Sequence, residues 1–297
     1  MDQDIPFASR TLNAARAATP SSILGRVPRP QLRALLQRWV SHRKNPAAEE
    51  SYIVQKSDFG IRVADMHARI DHVEMLVTRM YRQRGYVTQS STADPDAEGT
   101  NLKRVTLEAC RNNRTVGTIT VGLDGPDGLN AEDLYAKEIA PFRQHGARVC
   151  EFNRLALDVE ECGKDALGYL FHLAVVFAYR IHRATDLFIE VNPRHAVFYR
   201  RKLGFSVVGG EKICRRVNAP AILLHQELRS ISEQVVRHGG FKMRENKSFY
   251  SFFMPPWEEK ELIEEVRTML ARTRLATSNG SVSALAANRA AAGTGTG

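Results

Sequence analysis

The sequence predicts an α/β fold in which one mixed central sheet is flanked by helices. In residues 187–192, Leu187, Ile189 and Val191 alternate with Phe188, Glu190 and Asn192, as a strand requires. Pro193 then suits the first turn of a helix that Gly204 stops. A second observation is a pair of strands over Lys103–Arg111 and Thr115–Leu123, joined by Asn112-Asn113 as a hairpin turn. The third is the helical spacing of Leu167, Leu170, Phe171, Ala174, Ala178 and Ile181 between two strand-like runs. Strands and helices in this order suit a single domain over residues 57–229.

In chain order, residues 1–56 form a basic N-terminal arm, rich in Ala, Arg, Ser and Thr, with a short helix over Pro28–Lys44. Leu32, Leu35, Leu36, Trp39 and Val40 share one side of that helix, which docks either on the core, on a partner or on an acidic membrane surface. A strand near Gly60–Val63 precedes a helix over Asp65–Gln83 with Met66, Ile70, Val73, Val77 and Met80 as its buried stripe. After the hairpin, Leu129–Arg148 reads as a loop over the active site, with a helix start at Asn130-Ala-Glu-Asp133. A strand over Val149–Asp158 and a helix over Asp165–Ile181 follow, and Ser206–Val208 and Ala221–Leu228 complete the sheet. Residues 230–275 form an extension with the aromatic run Phe249–Phe253 and a helix after Pro255-Pro-Trp257, and residues 276–297 are a low-complexity tail.

Composition narrows the classes of function. The chain has 297 residues, 43% of them hydrophobic, enough for a sizeable core, and no apolar run of about 18 residues that would span a membrane. With no apolar signal core at its start, it reads as cytoplasmic. Cys110, Cys150, Cys162 and Cys214 form no CxxC pair and the histidines show no HExxH spacing, so no metal site is expected. A net charge of +9 points to an acidic partner. No helix-turn-helix, finger or aromatic RNA-binding pattern accompanies it, so nucleic acid is not the expected partner.

The run Val149-Cys-Glu-Phe-Asn-Arg-Leu-Ala-Leu-Asp158 is the second informative segment. Strand alternation places Glu151 and Asn153 on one face and Arg154 on the other. Such charges on a core strand are either paired internally or line a cleft, because burying them alone is costly.

The Asn-Pro entry and Gly-Phe exit of the helix after residue 192 resemble the last core helix of the GNAT superfamily of N-acyltransferases. The Glu-x-x-Arg strand from Glu151 to Arg154, then Asn192-Pro-Arg-His, Phe198-Tyr-Arg-Arg, Gly204-Phe and the continuation Glu211–Leu224, resemble more narrowly the long-chain N-acyl amino acid synthases (FeeM-type), relatives of the acyl-homoserine lactone synthases. The similarity covers residues 57–228. Coenzyme-A-dependent members carry a Gly-rich turn whose backbone N–H groups hold the pyrophosphate. Here that place reads Glu160-Glu-Cys-Gly-Lys-Asp-Ala166, whose two leading acids repel a diphosphate.

The resemblance implies no permanently bound cofactor and, as donor, an acyl-phosphopantetheine thioester on an acyl carrier protein. The acceptor is an amino acid and the product a long-chain N-acyl amino acid. It implies Glu151 as receiver of the amine proton, Tyr199 as proton donor to the leaving thiolate, and backbone N–H groups near Leu155 and Leu157 as the polarisers of the carbonyl. Asn192 either hydrogen-bonds the pantetheine amides or caps its helix. Arg154 either binds the acceptor carboxylate or pairs with an acid, and Glu190 is a weaker candidate. Arg194, Arg200, Arg201, Lys202, Lys212, Arg215 and Arg216 offer the acidic carrier a basic surface, or form a solvated face. Two other readings are a coenzyme-A-dependent GNAT acetyltransferase and a catalytically silent GNAT-like binding module.

Overall fold

The computed structural model describes residues 52–64, 67–86, 104–242 and 248–264, with side chains of the second stretch described from residue 71. The arm helix over 28–44, the C-terminal tail, and the side chains of Met66 and Ile70 lie outside the described residues.

Eight strands form one sheet: β1 (Val54–Gln55), β2 (Gly60–Val63), β3 (Arg104–Arg111), β4 (Arg114–Leu123), β5 (Val149–Leu157), β6 (Asp186–Val191), β7 (Ser206–Cys214) and β8 (Ala219–Glu227). Their order is β1-β2-β3-β4-β5-β6-β8-β7. Only β5 and β6 run parallel, and every other neighbouring pair is antiparallel, so the sheet is mixed as expected. Asn112 and Asn113 make the β3–β4 turn at φ of 47° and 60°, the left-handed conformation that short hairpins need and asparagine tolerates.

The helices with both ends described are α1 (His67–Gln83), α2 (Glu132–Gln144), α3 (Lys164–Val175), α4 (Pro193–Leu203) and α5 (Leu228–His238), and residues 256–264 are helical as well. A π-helical turn, Val176–Ile181, continues α3. Gly204 closes α4 at φ 79°, the left-handed stop that its position implied. Helix α3 is buried almost all round, within the main core that also holds Leu107, Ile119, Phe152 and Leu187. On the opposite face two smaller clusters form. Val73, Leu76, Val77 and Met80 of α1 pack with Ala64 and Ala156, whereas Tyr135 and Ile139 of α2 pack with Val149, Phe188 and Leu223.

Three local expectations are corrected. Residues 129–148 hold a full helix rather than a loop, because Leu129, Ala131, Tyr135 and Ile139 bury a side against the sheet; Pro141 inside α2 hid that period. Strand β7 runs to Cys214 and not Val208, passing through two irregularities around Gly209. A side chain there would start 2.6 Å from the Tyr135 ring, so the glycine marks a close approach and not a turn. Helix α5 was missed; Leu228, Ile231 and Val235 are its buried stripe among polar neighbours.

The aromatic extension is fastened to α3. Phe253 is 1% exposed and stacks on His172 at 5.2 Å, and the Tyr250 hydroxyl donates to the Leu203 carbonyl at 2.7 Å. Gly168 lets this segment close in, since a Cβ there would stand 2.3 Å from the Phe252 carbonyl oxygen. The Met254 N–H donates to His172 Nδ1, which leaves the ring proton on Nε2, 3.4 Å from Glu259. Burial opposes ionisation of Glu259, but His172 and the Arg180 guanidinium at 2.9 Å outweigh it and hold its carboxyl down to about 2. A depressed carboxyl contributes stability that is full above its ordinary value of 4.5 and disappears as pH falls toward 2. Glu259→Gln is therefore expected to cost about 2 kcal/mol at pH 7 and to flatten that acid limb, as read by denaturant unfolding across the window.

Candidate active site

Pairing between β5 and β6 runs from Val149–Asp186 to Phe152–Ile189 and stops there. Beyond it β5 stays with β4 and β6 stays with β8, so the two parallel strands part. A bulge accompanies the parting. Thr120 stands opposite Asn153 and Thr118 opposite Ala156, so Ile119 faces two residues, and Arg154 takes φ 51°.

The extra residue resets the alternation of β5. Phe152 and Leu155 both pack toward the main core, while Ala156 lies under α1. Arg154 is thereby turned to α1, where its guanidinium pairs with Glu74. The expectation that Arg154 lies on the face opposite Glu151 and Asn153 is corrected; the bulge brings all three to the helix α1 and α2 side. A bulge has no side-chain signature that simple alternation detects.

Between the α1 and α2 clusters that face is polar. Thr106 and Thr120 face each other across β3 and β4, with their hydroxyls 2.8 Å apart. Asn153, Glu151 and Glu190 continue the strip across β5 and β6. Glu151 is 3% exposed, and its carboxylate receives the Asn130 N–H on Oε1 and the Ala131 N–H on Oε2, each at 3.0 Å. Asn153 Nδ2 adds a third donor to Oε1 at 2.9 Å. Burial raises the Glu151 pKa, opposed by the two backbone N–H groups and by the charges of Arg104 and Arg216. The carboxylate fits because Gly122 lies beside it; a Cβ there would meet its Cγ at 2.8 Å.

Arg216 ties the strip to α2. It donates to the Asn130 carbonyl at 2.7 Å, to Asp133 at 2.8 Å and to Glu190 at 3.0 Å, so Glu190 serves as an ion-pair partner. Arg104 donates to the Asn130 side chain. The sequence places residues 129–131 beside the active site but assigns their amides no role, and it does not single out Arg104. Backbone donors leave no residue signature, and Arg104 reads there as an ordinary strand cation.

The other expected residues fall around the parting. Asn192 is a helix cap: its oxygen accepts the Arg194 N–H at 3.2 Å and its Nδ2 donates to the Pro220 carbonyl at 3.1 Å. Arg194 donates to the Tyr86 hydroxyl at 2.6 Å and lies over that ring. Tyr199 is 8% exposed between Phe198 and Phe205, and burial, then nearby Tyr81, keep its phenol well above the ordinary range. Tyr81 is a second buried phenol, also shifted up by burial. Leu155 and Leu157 are half-buried on β5 past the point where it leaves β6.

The expected basic surface divides. Lys212 is bound to Glu138 and Arg216 to Asp133 and Glu190, whereas Arg200 and Arg201 are exposed on α4. With Val197 and Phe205 they line a cavity of about 330 Å³. Glu160 and Glu161, just before α3, are exposed acids. Among the described residues no group of three or more metal-binding side chains converges, and no helix is long and apolar enough to cross a membrane.

Comparison with known proteins agrees with this architecture. The family model of the N-acyl amino acid synthase FeeM matches residues 72–227, more than half of the chain. The structure of FeeM, an N-acyl amino acid synthase from uncultured soil microbes, superposes with a TM-score of 0.53 at 28% identity, covering 59% of this chain and 93% of that one. A GNAT-family acetyltransferase from Streptococcus pneumoniae gives 0.42 at 14% identity, covering 57% of this chain and 99% of that one. A chimera of the spermidine N-acetyltransferase SpeG from Vibrio cholerae and hSSAT gives 0.41 at 11% identity, covering 59% and 99%. No curated protein sequence matches. The α/β architecture expected from the sequence, one mixed central sheet flanked by helices, is the one observed, and among the described residues its single parallel pair parts beside a bulge. The chain is an acyltransferase and belongs to the N-acyl amino acid synthase FeeM family.

Proposed function

We propose that the chain moves a long-chain acyl group from the thioester of an acyl carrier protein to the α-amine of an amino acid. The observation that carries the reading is the parting of β5 and β6 beyond Phe152 and Ile189, which opens an edge of strand beside a polar strip. A pantetheine arm entering that gap would present its thioester carbonyl to backbone N–H groups near Leu155 and Leu157, aligned for an oxyanion. The amine nitrogen bonds to the carbonyl carbon, the C–S bond breaks, and the amine gives up a proton as the thiolate gains one.

Glu151 is the proposed receiver of the amine proton. Two donors occupy Oε1 and one occupies Oε2, so Oε2 keeps an uncommitted lone pair, and a carboxyl raised by burial is a better base than an exposed one. Tyr199 is proposed to stabilise the leaving thiolate by a hydrogen bond. Full transfer from a phenol held above its ordinary range to a thiolate of ordinary basicity, pKa about 8.5, runs uphill.

Two features favour a carrier protein over coenzyme A. Exposed Glu160 and Glu161 stand where a diphosphate would bind, and Arg200 and Arg201, which line a cavity with Val197 and Phe205, offer positive charge to an acidic partner. Mass spectrometry of lipids from a bacterial host expressing the full chain tests the reading. New N-acyl amino acids absent from an empty-vector host are expected; a soluble, folded protein whose host yields none would overturn it.

A further inference from the structure

We infer that Asn153 binds the amine of the acceptor through its side-chain oxygen. The inference rests on the reading of the reaction as acyl transfer to an amine, and it assigns the place where that amine sits.

The argument begins with the orientation of the amide. Both oxygens of Glu151 accept backbone N–H groups, so the carboxylate edge that meets Asn153 is an acceptor and selects the NH2 end of the side chain. With Nδ2 fixed on Glu151 at 2.9 Å, Oδ1 points away from it. That oxygen is buried and has no hydrogen-bond donor. Most buried polar atoms in folded proteins are paired, and leaving one unpaired costs about 1–3 kcal/mol. An acceptor locked in place by a buried carboxylate, yet itself unpaired, is what a site for an N–H or O–H donor requires.

Its position selects the donor. Asn153 stands opposite Thr120, directly before the bulged Arg154 and one residue past the last pair that joins β5 to β6. A thioester in the gap carries only acceptors at its reacting end and has nothing to give Oδ1. The acceptor amine does: one N–H bonded to Oδ1 leaves the nitrogen lone pair free, and fixing that bond restricts the direction in which the lone pair points. Glu151 thereby acquires a positioning part through Asn153, and the backbone of 130–131 holds Glu151 in turn.

Calorimetric binding to the full-length protein separates this from its alternatives. Tyrosine, phenylalanine and leucine would each be titrated beside the same acid lacking the amine. The wild type is expected to prefer at least one amino acid over its des-amino partner by about tenfold, the value of a single well-placed hydrogen bond. Asn153→Ala should bring that ratio close to one while leaving the affinity of the des-amino acid within about twofold, with a lower melting temperature because Glu151 loses a donor. Asn153→Thr, whose hydroxyl still accepts, should restore part of the preference. An undiminished preference in Asn153→Ala would overturn the inference and leave the acyl-transfer reading standing. A wild type that prefers none of the amino acids would contradict both.

Discussion

Glu108→Ala is expected to be the most destabilising single substitution in the sheet, lowering unfolding free energy by about 3–5 kcal/mol. Glu108 is 0% exposed and Arg62 3% exposed, and Arg62 Nε donates to Glu108 Oε1 at 2.6 Å while the Thr115 hydroxyl donates to Oε2 at 2.7 Å. The pair sits opposite in register on β2 and β3, with the Tyr52 ring 5.2 Å from the guanidinium. Alanine would strand the buried Arg62 guanidinium, which cannot move to water without opening the sheet, and would leave the half-buried Thr115 hydroxyl without its acceptor. Denaturant unfolding of the two proteins at pH 7 checks this. A loss below about 1 kcal/mol would mean that Arg62 finds solvent or another acid.

Glu151→Gln is expected to lower kcat for N-acyl transfer by about a hundredfold or more, the usual contribution of a positioned base. The pH profile distinguishes a base from a scaffold. With its pKa raised by burial, Glu151 binds its proton at a pH above the ordinary 4.5 and then cannot accept another. Wild-type activity should therefore fall on the acid side at a pH higher than a free carboxylate would give, and the variant should lose that limb. The glutamine oxygen can accept only one of the amides of Asn130 and Ala131, because its NH2 group is a donor, so the melting temperature of the variant is measured beside its activity to check that α2 stays in place. A variant with reduced activity and an unchanged acid limb would assign Glu151 a purely structural part.

Much of the fold was legible because single residues do single jobs. Asn112 and Asn113 turn the hairpin, Asn192 and Pro193 open α4, and Gly204 closes it. What escaped depends on contacts distant in sequence. Helix α2 was obscured by Pro141 and is held by residues from β5, β6 and β8. Strand β7 continues past Val208 through Gly209, which admits the Tyr135 ring. At the site, Glu151 could be picked out as a carboxylate on a core strand, but its donors are backbone amides of a loop twenty residues earlier, which no side-chain pattern reveals. Arg154 was misplaced because alternation assumes an unbroken strand, and the bulge beside it is the feature that opens β5 from β6. The residues proposed for the chemistry are thus the ones for which regular periodicity fails, because a bulge bends the strand beside them.

The most direct measurement is an in vitro competition with purified full-length protein and a mixture of amino acids. The same long-chain acyl group would be supplied on an acyl carrier protein and on coenzyme A, with products identified by mass spectrometry. The account predicts N-acyl amino acids from the carrier-bound donor at a kcat/KM at least about tenfold above that for the coenzyme A thioester. Equal or greater use of coenzyme A, or transfer to no amino acid at all, would contradict it.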